Sequence, residues 1–245
     1  MEHLIERAVS AIYERYGEPI HLEELARTAM LSKFHFLRVF RCVTGVTPGR
    51  FLSAVRLQEA KRLLLTTSFN VAYISAQVGY SGTGTFTRRF TESVGLSPTQ
   101  YRKMSRGDLS VHVKRTAPQM MTKVCGSISG TIDAVGVPLS EIYIGAFDSP
   151  ILQGHPAASA AVPEPGTFRL NSVPPGTWYV HAVARGAHLP TAPYRDQPLL
   201  VDTVGPIVVR PNRQLELDVT VRPMDWSRPP ILFALPGMDP IPSTT

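Results

Sequence analysis

Residues 25–51 read LARTAMLSKFHFLRVFRCVTGVTPGRF, and residues 74–101 repeat the pattern as ISAQVGYSGTGTFTRRFTESVGLSPTQY. Equivalent positions lie 49 residues apart up to Ser32 and Ser81, and 50 residues apart from Phe36 and Phe86 onward. The turn in the second copy is therefore one residue longer. Two copies of this pattern predict two helix-turn-helix motifs, an arrangement that can read two successive major grooves of DNA.

Charge and proline content divide the chain of 245 residues into two halves. Residues 1–115 contain 17 Lys+Arg and 9 Asp+Glu, a net charge of +8, and only 3 of the 22 prolines. Residues 116–245 contain 8 Lys+Arg and 10 Asp+Glu, a net charge of −2. This division predicts a basic helical half that faces a polyanion and a β-rich half with many turns.

The two cysteines, Cys42 and Cys125, do not form a disulfide framework. No apolar run approaches the roughly 18 residues that a membrane-spanning helix needs, and the N-terminus lacks the apolar core of a signal peptide. We therefore expect a cytoplasmic protein with no membrane contact and no cofactor.

Helical spacing predicts each element of the basic half. Ser32 is expected to cap a first recognition helix that ends at Gly45, and a long helix from Pro48 to Leu65, about 27 Å in length, should connect the two motifs. The second recognition helix should run from about Thr83 to Val94, with a final short helix from Pro98. The expected buried stripes of the two recognition helices are Phe36, Val39, Phe40, Val43 and Phe86, Phe90, Val94.

These residues carry a family resemblance. Three stretches carry it: Leu25-Ala26 to Pro48, Arg56-Leu57 with Leu63-Leu64, and Val78-Gly79-Tyr80 to Tyr101-Arg102. With these stretches the chain resembles the DNA-binding domain of the AraC/XylS family over about residues 3–104. The resemblance implies that each recognition helix enters a major groove of double-stranded DNA. Gly82 and Gly84 depart from the pattern and should loosen the start of the second recognition helix.

The outward positions of the recognition helices supply the candidate base contacts. Arg38 and Arg88 are equivalent and can donate bidentate hydrogen bonds to guanine. Phe34 and Leu37 suit either contact with thymine methyl groups or packing against a neighbouring helix, and Thr83 and Thr87 can serve base edges. A second set suits phosphate contacts that position the protein without reading sequence. These candidates are Ser32, Lys33, Arg41, Arg50, Thr85 and Arg89.

The second half alternates apolar and polar residues in short segments bounded by Gly, Pro, Asn and Asp, which predicts β-strands. Gly126-Ser127-Ile128-Ser129-Gly130-Thr131 and Val173-Pro174-Pro175-Gly176-Thr177-Trp178 resemble the carboxypeptidase-regulatory-like, transthyretin-like β-sandwich. We therefore expect a multidomain α and β chain, an all-α double helix-turn-helix domain followed by an all-β Greek-key sandwich. The expected boundaries are a DNA-binding domain at 1–106, a linker at 107–122, a sandwich at 123–222 and a Pro-rich apolar tail at 223–245.

The second half shows no catalytic or metal-binding spacing among His155, His181, His188, Asp196 and Asp202. We therefore expect no enzyme activity. Tyr143, Trp178, Tyr179 and His181 are candidates for an effector pocket, although aromatic residues in strands also serve as core. The apolar centre of the tail, Ile231–Leu235, needs burial and could clamp the sandwich, reach the DNA-binding half or pair with a second subunit. We expect it to lie on the sandwich or to exchange with a partner chain.

The leading hypothesis is a transcriptional regulator that reads DNA with two motifs and uses its second half for effector sensing or assembly. One alternative is a constitutive DNA-binding protein whose sandwich only mediates protein interaction or dimerisation. A second alternative is a carbohydrate-binding or enzymatic sandwich fused to a DNA reader. Candidate partners besides DNA are RNA polymerase, a small-molecule effector and a second copy of the chain.

Overall fold

The structure is a computed structural model that describes residues 1–105, 124–134, 139–186 and 199–234. Among these, residues 1–105 and 225–234 belong to one compact unit, and residues from 124 to 224 belong to a second. The first is helical and the second is built from β-strands, which confirms the predicted division of the chain.

Seven helices form the described part of the helical unit, and the seventh closes the second motif. Their bounds are α1 (Glu2–Arg15), α2 (Leu22–Thr28), α3 (Lys33–Thr44), α4 (Pro48–Thr66), α5 (Val71–Gln77), α6 (Thr83–Val94) and α7 (Pro98–Ser105). Helices α2 and α3 form the first helix-turn-helix motif, α5 and α6 the second, and α4 connects them. The recognition helices α3 and α6 both have 12 residues, so Gly82 and Gly84 do not shorten the second one.

The two turns share their backbone geometry. The Leu31 N–H donates to the Ala26 carbonyl at 2.9 Å, and the Tyr80 N–H donates to the Ser75 carbonyl at 3.0 Å. Met30 and the equivalent Gly79 both have positive φ, 52° and 81°. Glycine adopts this conformation freely, whereas Met30 carries a side chain in it. The repeat in sequence is therefore a repeat in backbone structure.

Each recognition helix buries an aromatic pair. Phe36 and Phe40 in α3 and Phe86 and Phe90 in α6 are all fully buried. The rings of Phe40 and Phe51 meet edge to face at 5.7 Å, and those of Phe90 and Tyr101 meet in the same way at 5.8 Å. One predicted position differs. Val43 is half-buried, and Thr44 is buried instead because its hydroxyl donates to the Phe40 carbonyl at 2.8 Å.

Helices α1 and α4 repeat as well, at an offset of 52 residues. In both helices the buried stripe has the spacing i, i+3, i+4, i+7. It consists of Ile5, Ala8, Val9 and Ile12 in α1 and of Leu57, Ala60, Lys61 and Leu64 in α4, none more than 2% exposed. The second stripe thus contains a lysine, Lys61, where the first contains Val9.

Eight strands form the described part of the second unit. They are β1 (Gly126–Ala134), β2 (Leu139–Phe147), β3 (Ala158–Val162), β4 (Gly166–Val173), β5 (Gly176–Gly186), β6 (Leu199–Val209), β7 (Gln214–Glu216) and β8 (Val219–Pro223). They follow one hydrogen-bonded path in the order β3-β2-β5-β6-β8-β1-β4, with β7 pairing β1. The end strands β3 and β4 lie against each other, so the sheet nearly closes into a barrel.

This topology confirms a sheet-rich second half but does not confirm a Greek-key sandwich. Strand β8 pairs with β6 through Val201 and Arg222 and with β1 through Ile132 and Val219, so it joins the two halves of the strand path. The alternating sequence pattern indicates which residues face the core but contains no information on which strands pair. The sequence pattern could therefore predict strands and a core, but it could not predict a Greek-key arrangement of the strands.

The alternation itself places the core correctly. Ile128 and Ile132 of β1 are fully buried, and the intervening Gly130 allows a close backbone approach. A Cβ atom on Gly130 would lie 1.7 Å from the Leu217 carbonyl oxygen. One strand was missed: β3 has the sequence ASAAV, whose small residues give little apolar contrast.

Residues 225–234 of the tail lie in the helical unit, so the expectation that the tail packs on the sandwich is wrong, and the alternative that it reaches the DNA-binding half agrees with the structure. The Ala234 N–H donates to the Val94 carbonyl at 3.1 Å, and Lys61 Nζ lies 3.5 Å from the Ile231 carbonyl oxygen. Leu232 and Ala234 are each 1% exposed. The apolar run does require burial, as its composition indicated, but composition could not show which surface provides it.

Candidate nucleic-acid interface

Helix α3 presents a basic and apolar face to solvent. Lys33, Phe34, Arg38 and Arg41 are exposed, and Leu37 is half-buried between them. Phe34 is 83% exposed, so its ring does not pack against a neighbouring helix. The side chain of Phe34 is therefore accessible at the surface of α3.

Helix α6 presents the second set of candidates, of which Thr83, Thr87 and Arg88 are equivalent to Lys33, Leu37 and Arg38. Thr83, Thr85, Arg88 and Arg89 are exposed, and Thr87 is half-buried. The Thr91 hydroxyl donates to the Thr87 carbonyl at 2.7 Å. This bond uses the backbone of Thr87 and not its hydroxyl. The structure therefore places all of these side chains on α6 where a groove could reach them, except that Thr87 is partly covered.

Four arginines on these helices have no partner within the described ranges of the chain. Arg38, Arg41, Arg88 and Arg89 form no ion pair or hydrogen bond with any residue of 1–105, 124–134, 139–186 or 199–234. Helix α3 itself contains no acidic residue, and α6 contains only Glu92. Uncompensated guanidinium groups on adjacent turns create a positive surface that favours a polyanion.

Lys33 differs from these arginines because it has an acidic partner. Its Nζ lies 2.5 Å from a carboxylate oxygen of Glu23 on α2, and this hydrogen bond lowers the pKa of Glu23 below its ordinary value. A phosphate contact by Lys33 must compete with that pair. Ser32 occupies the N-cap position of α3, but its hydroxyl accepts no capping hydrogen bond, contrary to the prediction, and so stays available at the helix end.

Helix α4 begins at the remaining phosphate candidate. Arg50 is exposed in the first turn, and its N–H donates to the Thr47 hydroxyl at 3.4 Å. The offset of 50 residues relates Arg50 to Gln100 in the first turn of α7, where Gln100 Oε1 accepts from the Ser97 N–H at 3.0 Å.

Two further arginines serve the framework and not the exposed face. Arg56 of α4 donates to the Tyr16 and Glu18 carbonyls at 2.7 and 2.8 Å, and its partial burial lowers its pKa. Arg102 of α7 donates to the Leu64 and Phe69 carbonyls at 3.1 and 2.6 Å. These bonds satisfy carbonyls near the ends of α1 and α4, which have no partner inside their helices. The positive charge of this half is thus divided between framework and surface.

The four candidates for an effector pocket do not line a single site. Trp178 packs against the main core of the sheet unit, and its Nε1 donates to the Pro174 carbonyl at 2.8 Å. Tyr179 and His181 lie on the opposite face of β5, because successive residues of a strand point to opposite sides. His181 is 3% exposed and is held by the Ser149 carbonyl at 2.8 Å and the Thr203 hydroxyl at 3.0 Å, so it is a core residue with satisfied ring nitrogens.

Tyr143 of β2 is half-buried and pairs in register with Val183 of β5. It therefore shares a face with His181 and Tyr179 but not with Trp178. Among the residues that the structure describes, no group of three or more His, Cys, Asp or Glu side chains could hold a metal ion. The same residues include no helix with the length and apolar character needed to cross a membrane.

Comparison with known proteins identifies the helical half. A family model described as a helix-turn-helix domain matches residues 25–104, which contain both motifs, α4 and most of α7. The helical unit carries an AraC-type helix-turn-helix domain. The AraC-type domain is 41% identical over 96 residues to an uncharacterised HTH-type transcriptional regulator of Haemophilus influenzae, covering 39% of this chain and 32% of that protein.

Other relatives share the same region. The MmsAB operon regulatory protein of Pseudomonas aeruginosa is 37% identical over 87 residues, covering 36% of this chain and 28% of the relative. The solved DNA-binding domain of AdpA, a global transcriptional factor in complex with a target DNA, is 29% identical with a TM-score of 0.41, covering 43% of this chain and 96% of that one. The chain spans about a third of the length of the curated relatives it matches.

Proposed function

We propose that this protein is a sequence-specific transcriptional regulator that binds duplex DNA with α3 and α6 in two successive major grooves. One observation carries the proposal. Arg38 and Arg88 occupy equivalent positions on two recognition helices of equal length, both exposed and both without a partner among the described residues. Because the two motifs repeat both the backbone framework and one exposed arginine without an acidic partner, each arginine can donate hydrogen bonds to the edge of a guanine in its own major groove.

The other exposed side chains divide between reading and positioning. Phe34, Leu37, Thr83 and Thr87 supply apolar and hydroxyl groups for base edges. Ser32, Lys33, Arg41, Arg50, Thr85 and Arg89 then contact phosphates at the flanks of the grooves and fix the register on the duplex. The described residues of the helical half from 1 to 105 contain 14 Lys+Arg and 8 Asp+Glu, a net charge of +6, which agrees with a polyanionic partner.

The geometry of α4 supports two contacts on one face of the duplex. At 1.5 Å per residue, its 19 residues extend for about 28 Å. This length is comparable to the roughly 34 Å between successive major grooves on one side of B-DNA. A rigid connector of this length suits half-sites separated by one helical turn.

We infer that the sheet unit senses an effector or mediates assembly, and that it is a transthyretin-like module. The predicted aromatic pocket is split between the two faces of β5, so a different surface of the unit would perform either role. Two measurements on the full chain separate the two roles. One is thermal unfolding in the presence of metabolite mixtures, and the other is light scattering at several protein concentrations. Saturable stabilisation favours sensing, and a mass that rises with concentration favours assembly.

Selection from a pool of random duplexes tests the proposal for the helical half. The full chain should enrich a site with two conserved segments about 10 base pairs apart, and hydroxyl-radical footprinting should show protection on one face of the duplex. A pool that shows no enrichment would refute sequence-specific binding. A single short segment would refute the use of both motifs.

A further inference from the structure

The second motif differs from the first in how its recognition helix ends. In the first motif, the buried Thr44 hydroxyl donates to the Phe40 carbonyl at 2.8 Å and lies 3.1 Å from the Val46 carbonyl oxygen. The equivalent residue at the end of α6 is Val94, which has no hydroxyl. The last carbonyls of a helix have no partner within the helix, and the Val94 carbonyl instead accepts the Ala234 N–H from the tail at 3.1 Å.

The neighbouring lysine gives a second, independent observation on the same surface. Lys61 replaces Val9 of the first motif in a stripe that is almost fully buried, and it is 2% exposed itself. A buried ammonium group requires polar or aromatic surroundings. Here Nζ lies 3.5 Å from the Ile231 carbonyl oxygen of the tail and 5.5 Å from the centre of the Tyr101 ring. A cation at this distance from an aromatic face is attracted to it.

The ring of Tyr101 connects this surface to the core under α6. In the first motif the equivalent Phe51 is met by Tyr13 of α1 at 6.1 Å. In the second motif Tyr101 contacts Phe90 at 5.8 Å on one side and Lys61 on the other. The tail residues Leu232, Phe233 and Ala234, at 1%, 7% and 1% exposure, are buried beside these groups in the same unit.

We propose that residues 225–234 are a working part of the DNA-binding domain and position the C-terminal end of α6. The tail donates the Ala234 N–H to the Val94 carbonyl and places the Ile231 carbonyl oxygen near Lys61 Nζ. Its apolar residues Leu232, Phe233 and Ala234 are buried in the same unit. Discrimination between bases by α6 at the second half-site then depends on docking of the tail, whereas discrimination by α3 at the first half-site does not. This last step rests on the function proposed above.

The tail follows the sheet unit directly in the chain. Met224 still belongs to the sheet unit, where its N–H donates to the Leu199 carbonyl at 3.1 Å, and Asp225 begins the segment in the helical unit. The sheet unit is therefore inserted in sequence between two segments of the DNA-binding unit. Met224 of the sheet unit and Asp225 of the helical unit are therefore neighbours in the chain.

Two full-length variants test the positioning. Leu232→Ala removes buried apolar contact. Ala234→Pro removes the N–H that reaches Val94, because proline has no such donor, and it also restricts the backbone of Phe233 and of residue 234. The matched control is Leu152→Ala, since Leu152 is also buried in a non-regular segment, but in the sheet unit. Hydrogen–deuterium exchange reports local opening of each helix without any need for DNA.

Both tail variants should speed amide exchange in the last turn of α6 and in α7 by about tenfold or more while α3 is unchanged. Leu152→Ala should leave all three helices unchanged. With DNA, the tail variants should lose discrimination between bases of the second half-site and keep it at the first.

Unchanged exchange in α6 would overturn the proposal, because the tail would then have no effect on this helix. An equal increase in α3 and α6 would overturn it too, because the tail would then stabilise the whole helical unit. Equal loss at both half-sites would overturn it as well. A wild-type chain that binds no duplex DNA would refute the function proposed above, and exchange alone would then decide whether the tail positions α6.

Discussion

The salt dependence of DNA binding can be worked out from the exposed cations of the two motifs. Four exposed cations are the proposed phosphate contacts: Lys33, Arg41, Arg50 and Arg89. Lys33 is paired with Glu23, so between three and four phosphate contacts are expected. The slope of log affinity against log salt is about −0.9 for each neutralised phosphate of B-DNA. The predicted slope is therefore about −2.7 to −3.6.

This slope corresponds to a loss of about 40-fold to 150-fold in affinity between 50 and 200 mM salt. Fluorescence anisotropy of a labelled selected duplex, titrated at several salt concentrations, measures it directly. The double variant Arg41→Ala with Arg89→Ala should reduce the steepness by about 1.8. Arg210→Ala, an exposed arginine of the sheet unit, is the matched control and should change nothing. A slope near zero, or a double variant with the wild-type slope, would refute the reasoning.

Three further substitutions test individual contacts. Met30→Gly should raise the free energy of unfolding by about 1 kcal/mol in chemical denaturation, because glycine relieves the positive φ of this exposed residue; an unchanged or lower midpoint would contradict this. Glu23→Gln should release Lys33 and steepen the salt slope by up to about 0.9, whereas an unchanged slope would show that Lys33 does not reach phosphate. Gly130→Ala should prevent native packing of the sheet unit, since its Cβ would overlap the Leu217 carbonyl oxygen; a variant with wild-type circular dichroism and melting temperature would disprove that close approach.

The helical half could be predicted from sequence because its information is local and repeated. The spacing of Phe36 and Phe40, and of Phe86 and Phe90, specifies which side of each recognition helix is buried, and the glycines at positions 45 and 95 mark both ends. Both glycines adopt left-handed conformations, with φ of 75° and 88°. The outward positions of Arg38 and Arg88 then follow from helix geometry alone.

The sheet half could be predicted only in part, because strand pairing joins residues far apart in sequence. The alternation placed Ile128 and Ile132 in the core, yet it could not show that β8 bridges β6 and β1. Alternation also bears on the predicted effector pocket. Trp178 and Tyr179 are adjacent on a strand, so their side chains point to opposite faces and do not line one pocket.

The tail could not be predicted because its docking surface depends on tertiary structure. Its apolar composition showed that Leu232 and Phe233 require burial. Only the packed helical unit shows that the Val94 carbonyl and Lys61 offer partners for its backbone.

The most direct test of the central claim is competition binding of single-base variants of the selected site, measured for the wild type, Arg38→Ala and Arg88→Ala. If both arginines read bases, Arg38→Ala should relax the preference at one base pair in one half-site, and Arg88→Ala should relax it at one base pair in the other. Each should cost about 1–3 kcal/mol on the preferred site. If either variant weakens binding equally to every sequence, or leaves the preference profile unchanged, that arginine does not read a base. Failure of both would contradict the account of two equivalent reading helices.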